Sequence, residues 1–173
     1  MSNNMKYRLR KKLLVLSIVL VLSGIYIVPA DAQQNTYTYY AYAVQIYNAS
    51  IYEANQAITA INSNNTSAAL WAAYYAYYFA FYGDFYLTHA VTSPSTIYQD
   101  AGNSARYYSR FAVQYYTLAY QALNKTTPDF NSAKGFLGVG NTYAQDTINF
   151  ATTAAAGAVS CQSFATNPAL ACR

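Results

Sequence analysis

Charge is what this sequence has least of: Asp, Glu, Lys and Arg make up 9% of its 173 residues. One histidine, two cysteines and six carboxylates are little from which to build a metal centre or an acid–base catalyst. His89 has no Ser or Cys with a supporting acid in a triad pattern. Asp84, five residues before it, falls on a different helical face. Both methionines lie within the first 32 residues and no CxxCH is present, so beyond that point a haem bundle would find no methionine ligand and no attachment motif, and only one histidine, His89. The five carboxylates after residue 32 are scattered over separate segments, a poor basis for a paired-carboxylate hydrolase. Gly135-Phe-Leu-Gly-Val-Gly140 is glycine-rich, but it lacks the G-x-G-x-x-G order, a preceding strand and a phosphate-loop lysine. Close helix approach or a kink is the expected use of these glycines. The composition therefore predicts no enzyme, no metal and no cofactor.

The basic residues are concentrated at the start. Lys6, Arg8, Arg10, Lys11 and Lys12 precede an apolar run over residues 13–28, then Pro29 and the small–x–small pattern Ala30-Asp31-Ala32. This is the layout of a secretory signal peptide over residues 1–32, cleaved after Ala32. The run is short for a membrane span, which needs about 20 residues; a retained N-terminal anchor is the alternative. A prepilin-like signal fits less well, because Lys12 meets Leu13 with no small residue between them. Without residues 1–32 the chain has five basic and five acidic side chains and no net charge. The basic balance of the whole sequence thus belongs to the export segment, and nucleic-acid binding through a basic patch loses its basis. The expected location is extracellular or at the cell surface.

Cys161 and Cys172 suit an oxidising compartment and predict one disulfide that pins the Pro168-containing tail, residues 161–173, against the last helix. Such a ring is worth about 3 kcal/mol in loop entropy. The spacing fits neither a CxxC redox site nor a zinc knuckle.

Between the leader and that tail, residues 33–160 divide at clusters of Asn, Ser, Thr and Pro: 62–67, 92–95 and 124–128. Ser67, Ser95 and Thr127 are candidate N-caps, and Pro128 suits a first helical turn. Apolar residues between the breaks alternate in steps of three and four. Segment one carries Tyr37, Tyr40, Val44, Tyr47, Ile51, Ala54, Ile58 and Ile61. Segment three carries Ile97, Ala101, Ser104, Tyr108, Phe111, Tyr115, Leu118 and Ala122. Segment four carries Leu137, Asn141, Ala144, Ile148, Ala151, Ala155 and Ala158. This step keeps one seam facing a partner and predicts an all-α, antiparallel up-down four-helix bundle. A helical hairpin pair that completes its core by oligomerising is the other arrangement with this pattern.

Segment two differs. Residues 68–83 read AALWAAYYAYYFAFYG, without a charge. Aromatic residues fall in two rows, Trp71–Tyr75–Tyr78–Tyr82–Phe85–His89 and Tyr74–Tyr77–Phe81, with Leu70 at the head of the second. A helix apolar all round is buried on several sides, either as the centre of the bundle or against something outside the protomer. Twenty-one tyrosines, nineteen of them after residue 32, exceed what one small core can hold, so several are expected at the surface. The candidate interaction face is Trp71, Tyr74, Tyr75, Tyr77, Tyr78, Phe81, Tyr82 and Phe85.

The remaining surface is polar but barely charged: 46 of the residues after position 32 are Asn, Gln, Ser or Thr. Such a surface is expected to change little with pH. Asn48, Asn64, Asn65 and Asn124 head N-x-S/T sequons and are candidate glycosylation sites. Arg106 and Arg110 share a face of segment three and are expected to join Glu53 or Asp84 in an internal ion cluster, a small anion site being the alternative. His89 is expected to be a polar terminus for segment two.

These features predict an exported, non-enzymatic structural or interaction protein that self-associates or meets a cell-surface partner through tyrosine-rich helix faces. A membrane surface is the alternative partner, engaged in a pore-forming or toxin-like way by the aromatic helix over 68–91. A carrier of an apolar ligand within the bundle is the other alternative.

Overall fold

The computed structural model describes residues 36–92 and 99–165, and they form four α-helices. These are α1 (Thr36–Asn62), α2 (Thr66–Thr92), α3 (Gln99–Leu123) and α4 (Phe130–Ala165). The helices pack in a ring in which α1 meets α2 and α4, and α3 meets the same two. Cross-helix pairs fix the directions: Tyr74 meets Tyr120 and Asp84 meets Ser109, so α2 and α3 run antiparallel. Asn55 with Asn141 and Asn62 with Lys134 do the same for α1 and α4. Tyr108 with Phe150 and Tyr115 with Phe136 do so for α3 and α4. The expected up-down bundle is what forms. The expected leader, Ser95 and Cys172 lie outside the described residues, and α4 continues through position 161 to Ala165.

The turns are made by asparagine and aspartate. Asn64 takes φ 54°, the left-handed conformation that ends α1. Its N–H donates to Ile61 O (3.0 Å), and the Asn65 N–H donates to Ala60 O (2.9 Å), the paired bonds of a Schellman motif. The Asn65 side chain then accepts from the Ala68 N–H at 3.1 Å, so Asn65, not Ser67, caps α2. At α4 the Asp129 carboxylate accepts from the Ser132 N–H at 3.0 Å. Asp129 therefore replaces the expected Thr127 cap, and Pro128 precedes the helix instead of entering its first turn. In both cases the short Asx side chain, set three residues before the N–H it reaches, outcompetes the hydroxyls nearby.

The bundle interior is built from small residues. On α2 the buried line is Ala69, Ala73, Ala76, Ala80, Gly83, Leu87 and Ala90, in alternating steps of four and three. On α3 it is Gly102, Ala105, Ser109, Ala112, Tyr116, Ala119 and Leu123. Of the line expected on α3, Ala101 to Leu118 lie one residue away and are half-buried, Ala122 at its end is buried as expected, and Ile97 is outside the described residues. On α1, Tyr40, Tyr47, Ala54 and Ile61 are buried as expected, but Ala43, Ser50 and Ala57 complete the line where Val44, Ile51 and Ile58 were expected. On α4, Leu137, Ala144, Ile148, Ala151 and Ala155 are buried as expected, while Asn141 is half-buried. The physical reason is size. Two adjacent lines on a helix share the same three–four period, and only the smaller one lets four backbones close on each other. The bulkier line flanks the contact and covers its edges.

The three tyrosines of this interior each sit opposite a glycine. Tyr47 is fully buried, and its hydroxyl donates to Ala80 O at 3.0 Å, with Ser109 O at 3.4 Å. Its ring fills the space above Gly83, where a Cβ would stand 2.8 Å from ring atom Cδ2. Tyr116, also fully buried, lies over Gly140 in the same way, with 2.6 Å to a Cβ there. The Tyr40 hydroxyl occupies the space above Gly102. Gly135 and Gly138 face open space, so of the three glycines in 135–140 only Gly140 serves close approach.

Candidate interaction face

With alanine and glycine turned inward, the rest of the α2 surface is left to aromatic rings. Trp71, Phe81 and Phe85 are each about half exposed (51%, 52% and 51%). Tyr74, Tyr75, Tyr77, Tyr78 and Tyr82 are half-buried between them. Within the face from Trp71 to Phe85 the one ionisable acid is Asp84, whose carboxylate accepts a hydrogen bond from the Ser109 hydroxyl of α3. All eight residues expected at the face are thus partly or largely accessible on one helix. The helix is not the buried centre of the bundle.

The rings are held by one another. Trp71 stacks on Tyr75 (6.3 Å) and meets Tyr74 edge-on (6.1 Å). Tyr74 stacks on Tyr78 (6.1 Å) and reaches Tyr120 of α3 (5.7 Å). Tyr78 meets Tyr82 at 4.7 Å, and Phe81 lies edge-on to Tyr82. Phe85 meets His89 edge-on at 4.4 Å, and His89 stacks on Tyr39 of α1 at 5.9 Å. Each such pair contributes roughly 0.5–1.5 kcal/mol beyond its burial. A ladder of this kind loses little rotamer freedom on contact with a partner. His89 sits in the last turn of α2, a favourable place for a polar side chain at a helix C-terminus.

A second aromatic group fills the outer groove between α3 and α4. Tyr108 stacks on Phe150 (5.3 Å, planes 8° apart), Phe111 and Tyr115 on Tyr143, and Tyr115 meets Phe136. Sequence reasoning identified the α3 members but assigned them to the interior, and it missed the α4 members. Their signal was a strict seven-residue recurrence, Phe136–Tyr143–Phe150, one position before the buried line at Leu137, Ala144 and Ala151. Tyr107, 59% exposed, extends the second group outward, edge-on to Tyr108 (5.4 Å) and Phe111 (5.0 Å), while Tyr52, 60% exposed, lies outside both groups.

The polar groups are few and mostly tied. The Tyr116 hydroxyl donates to Asn141 Oδ1 (2.8 Å), whose amide donates to Asn55 Oδ1 (2.9 Å), linking α3, α4 and α1. Burial raises the Tyr116 pKa above the phenol range, and the Ser50 hydroxyl offsets part of that. Burial raises Tyr47 well above it too, aided by the Asp84 charge. Glu53 is buried on α1, and desolvation raises its carboxyl above the usual range. The expected ion cluster does not form: Asp84 is taken by Ser109, Arg106 Nε is buried without a hydrogen-bond partner, and Arg110 is exposed. The reason is reach, since Ser109 holds the carboxylate from the position facing it. Among the described residues no three His, Cys, Asp or Glu side chains converge on one point.

Of the sequons, Asn48 is exposed on α1 with its amide donating to Val44 O at 3.0 Å. Asn64, Asn65 and Asn124 are exposed in the α1–α2 and α3–α4 connections, which the up-down topology sets at one end of the bundle. No helix among the described residues is long and apolar enough to cross a membrane. No protein-family model matches the chain, and no characterised protein or solved structure does so either.

Proposed function

We propose that the chain is an exported, non-enzymatic structural or interaction protein, assembling at the cell surface through its tyrosine-rich helix faces. The observation that carries this is the half-exposed aromatic ladder from Trp71 to Phe85, in which Asp84 is the one acid. Water-exposed aromatic area of this kind marks contact surfaces, and Tyr and Trp are enriched at them. Export rests on the leader pattern of residues 1–32. The Cys161–Cys172 disulfide and sugars at Asn48, Asn64, Asn65 or Asn124 belong to the same proposal. The test is size measurement and electron microscopy of protein lacking residues 1–32. Filaments, sheets or large oligomers are expected; a monomer at high concentration overturns the reading.

The exposed ladder also supports a second reading, contact with a membrane surface, since Trp and Tyr favour headgroup depth. Dye leakage from liposomes tests it. A Tyr78→Lys change that leaves leakage intact counts against it. A carrier role has less support, because the space between the helices is filled by alanines and by Tyr47 and Tyr116.

A further inference from the structure

Tyr78 and Tyr82 are the closest pair of tyrosine rings in contact among the described residues, with centroids 4.7 Å apart and planes inclined by 50°. The next pairs, Tyr107–Tyr108 and Tyr115–Tyr143, stand at 5.4 and 5.5 Å. A separation this short, with planes so inclined, is near that of two phenol rings joined by a carbon–carbon bond. The i, i+4 spacing on α2 holds the two side chains side by side. Their neighbours hold the rings in place: Tyr74 stacks on Tyr78, Phe79 lies edge-on to Tyr78, and Phe81 lies edge-on to Tyr82. Both rings are half-exposed, so a solution oxidant reaches them. Sulfur sinks are scarce after residue 32, where no methionine occurs and the only cysteines are Cys161 and Cys172.

We infer that Tyr78 and Tyr82 form an oxidative cross-linking site, joined as dityrosine within one chain by a one-electron oxidant generated from hydrogen peroxide. Each phenol gives up one electron and its hydroxyl proton. The two phenoxyl radicals couple between ring carbons ortho to oxygen, forming one carbon–carbon bond. The hydrogen on each coupled carbon then moves to oxygen and restores two phenols. The two electrons and two protons released reduce one peroxide to two waters. The chain loses two hydrogens, and one turn of the aromatic ladder is stapled. This chemistry does not depend on the assembly reading, since both rings lie on one helix.

The test treats the dilute full-length chain with hydrogen peroxide and a haem peroxidase, then separates monomer from larger species. The monomer is expected to lose the mass of two hydrogens, to gain dityrosine fluorescence, and to yield a digest peptide linking Tyr78 to Tyr82. Tyr78→Phe and Tyr82→Phe, each checked for unchanged helix content, are expected to reduce the monomer signal to background. Tyr107→Phe is expected to leave it intact. The proposal is overturned if dityrosine forms only between chains, if monomer mass is unchanged, or if the Tyr82→Phe monomer still gains the signal.

Discussion

The Tyr47 ring occupies the volume that a side chain at position 83 would need, so α1 and α2 touch where Gly83 has no Cβ. Replacing Gly83 by Ala sets two effects against each other. Helix propensity favours Ala by about 1 kcal/mol, while overpacking a filled interior costs about 1–3 kcal/mol. Tyr47 cannot withdraw, because its hydroxyl is held by Ala80 O on the same helix as Gly83. Gly83→Ala and Gly140→Ala are therefore expected to destabilise the bundle in denaturant titration. Gly135→Ala and Gly138→Ala, which meet no atoms, are expected to stabilise it by up to about 1 kcal/mol each. The same substitution should change sign along six residues of α4.

Alkaline titration separates the tyrosines. Tyr47, Tyr116 and Tyr40 have raised pKa values, burial being the main cause in each. A folded-state pKa above the unfolded one gives stability that is full below the unfolded phenol range, about pH 10, and is lost as pH rises through the folded value. Tyrosinate absorbance is expected to rise in two phases, the second coinciding with loss of helical circular dichroism. A single phase completed with helicity intact would contradict the burial of Tyr47 and Tyr116.

Glu53 and Asp129 pull the acid side in opposite directions. Desolvation raises the Glu53 pKa, so its stabilisation is full below the ordinary carboxylate range and is lost as pH rises through the folded value. The Ser132 hydroxyl and N–H lower that of Asp129, so its stabilisation is present above that range and is lost as pH falls through the folded value. Glu53→Gln is expected to stabilise the protein at pH 7 and to have little effect at pH 3, measured by urea midpoints. Asp129→Asn is expected to flatten the loss at low pH. A Glu53→Gln protein weaker than wild type at pH 7 would mean that the carboxylate has a charged partner.

Trp71→Lys and Phe85→Lys each remove a half-exposed ring that makes two ring contacts, so each is expected to cost about 1–3 kcal/mol of folding stability while helix content is kept. Each places a positive charge on a face whose one acid, Asp84, is held by Ser109, and is expected to reduce assembly measured by light scattering. Lys at Tyr52, exposed on α1, is the control and should leave assembly unchanged. Equal loss at all three positions would point to general solubility and away from the α2 face.

Much of the architecture was legible in the chain. The three–four steps from Tyr40 to Ile61 and from Leu137 to Ala155 specify helices, and the Asn-rich breaks fall where α1 ends and α4 begins. The exposure of the α2 ladder was legible only as a surplus, since nineteen tyrosines overfill a small core without saying which ones leave it. What could not be read was phase. Tyr108, Phe111 and Tyr115 look like core residues by hydrophobicity, yet Ser109, Ala112 and Tyr116 are the ones inside. The caps were hidden for a similar reason, because Asn65 and Ser67, or Thr127 and Asp129, have comparable capping propensity.

The sequence by itself determined the helical period, the loop positions and a surface hydrated by neutral side chains, because these follow from local spacing and composition. Tertiary structure decided which of two adjacent lines on each helix turns inward. Four helices close most tightly where alanines and glycines meet, and Tyr47 and Tyr116 fit only opposite Gly83 and Gly140. That choice depends on volumes contributed by different helices, which no single stretch of sequence contains. It is also what turned the charge-free stretch of α2, which composition alone would bury, into an outward face of aromatic rings.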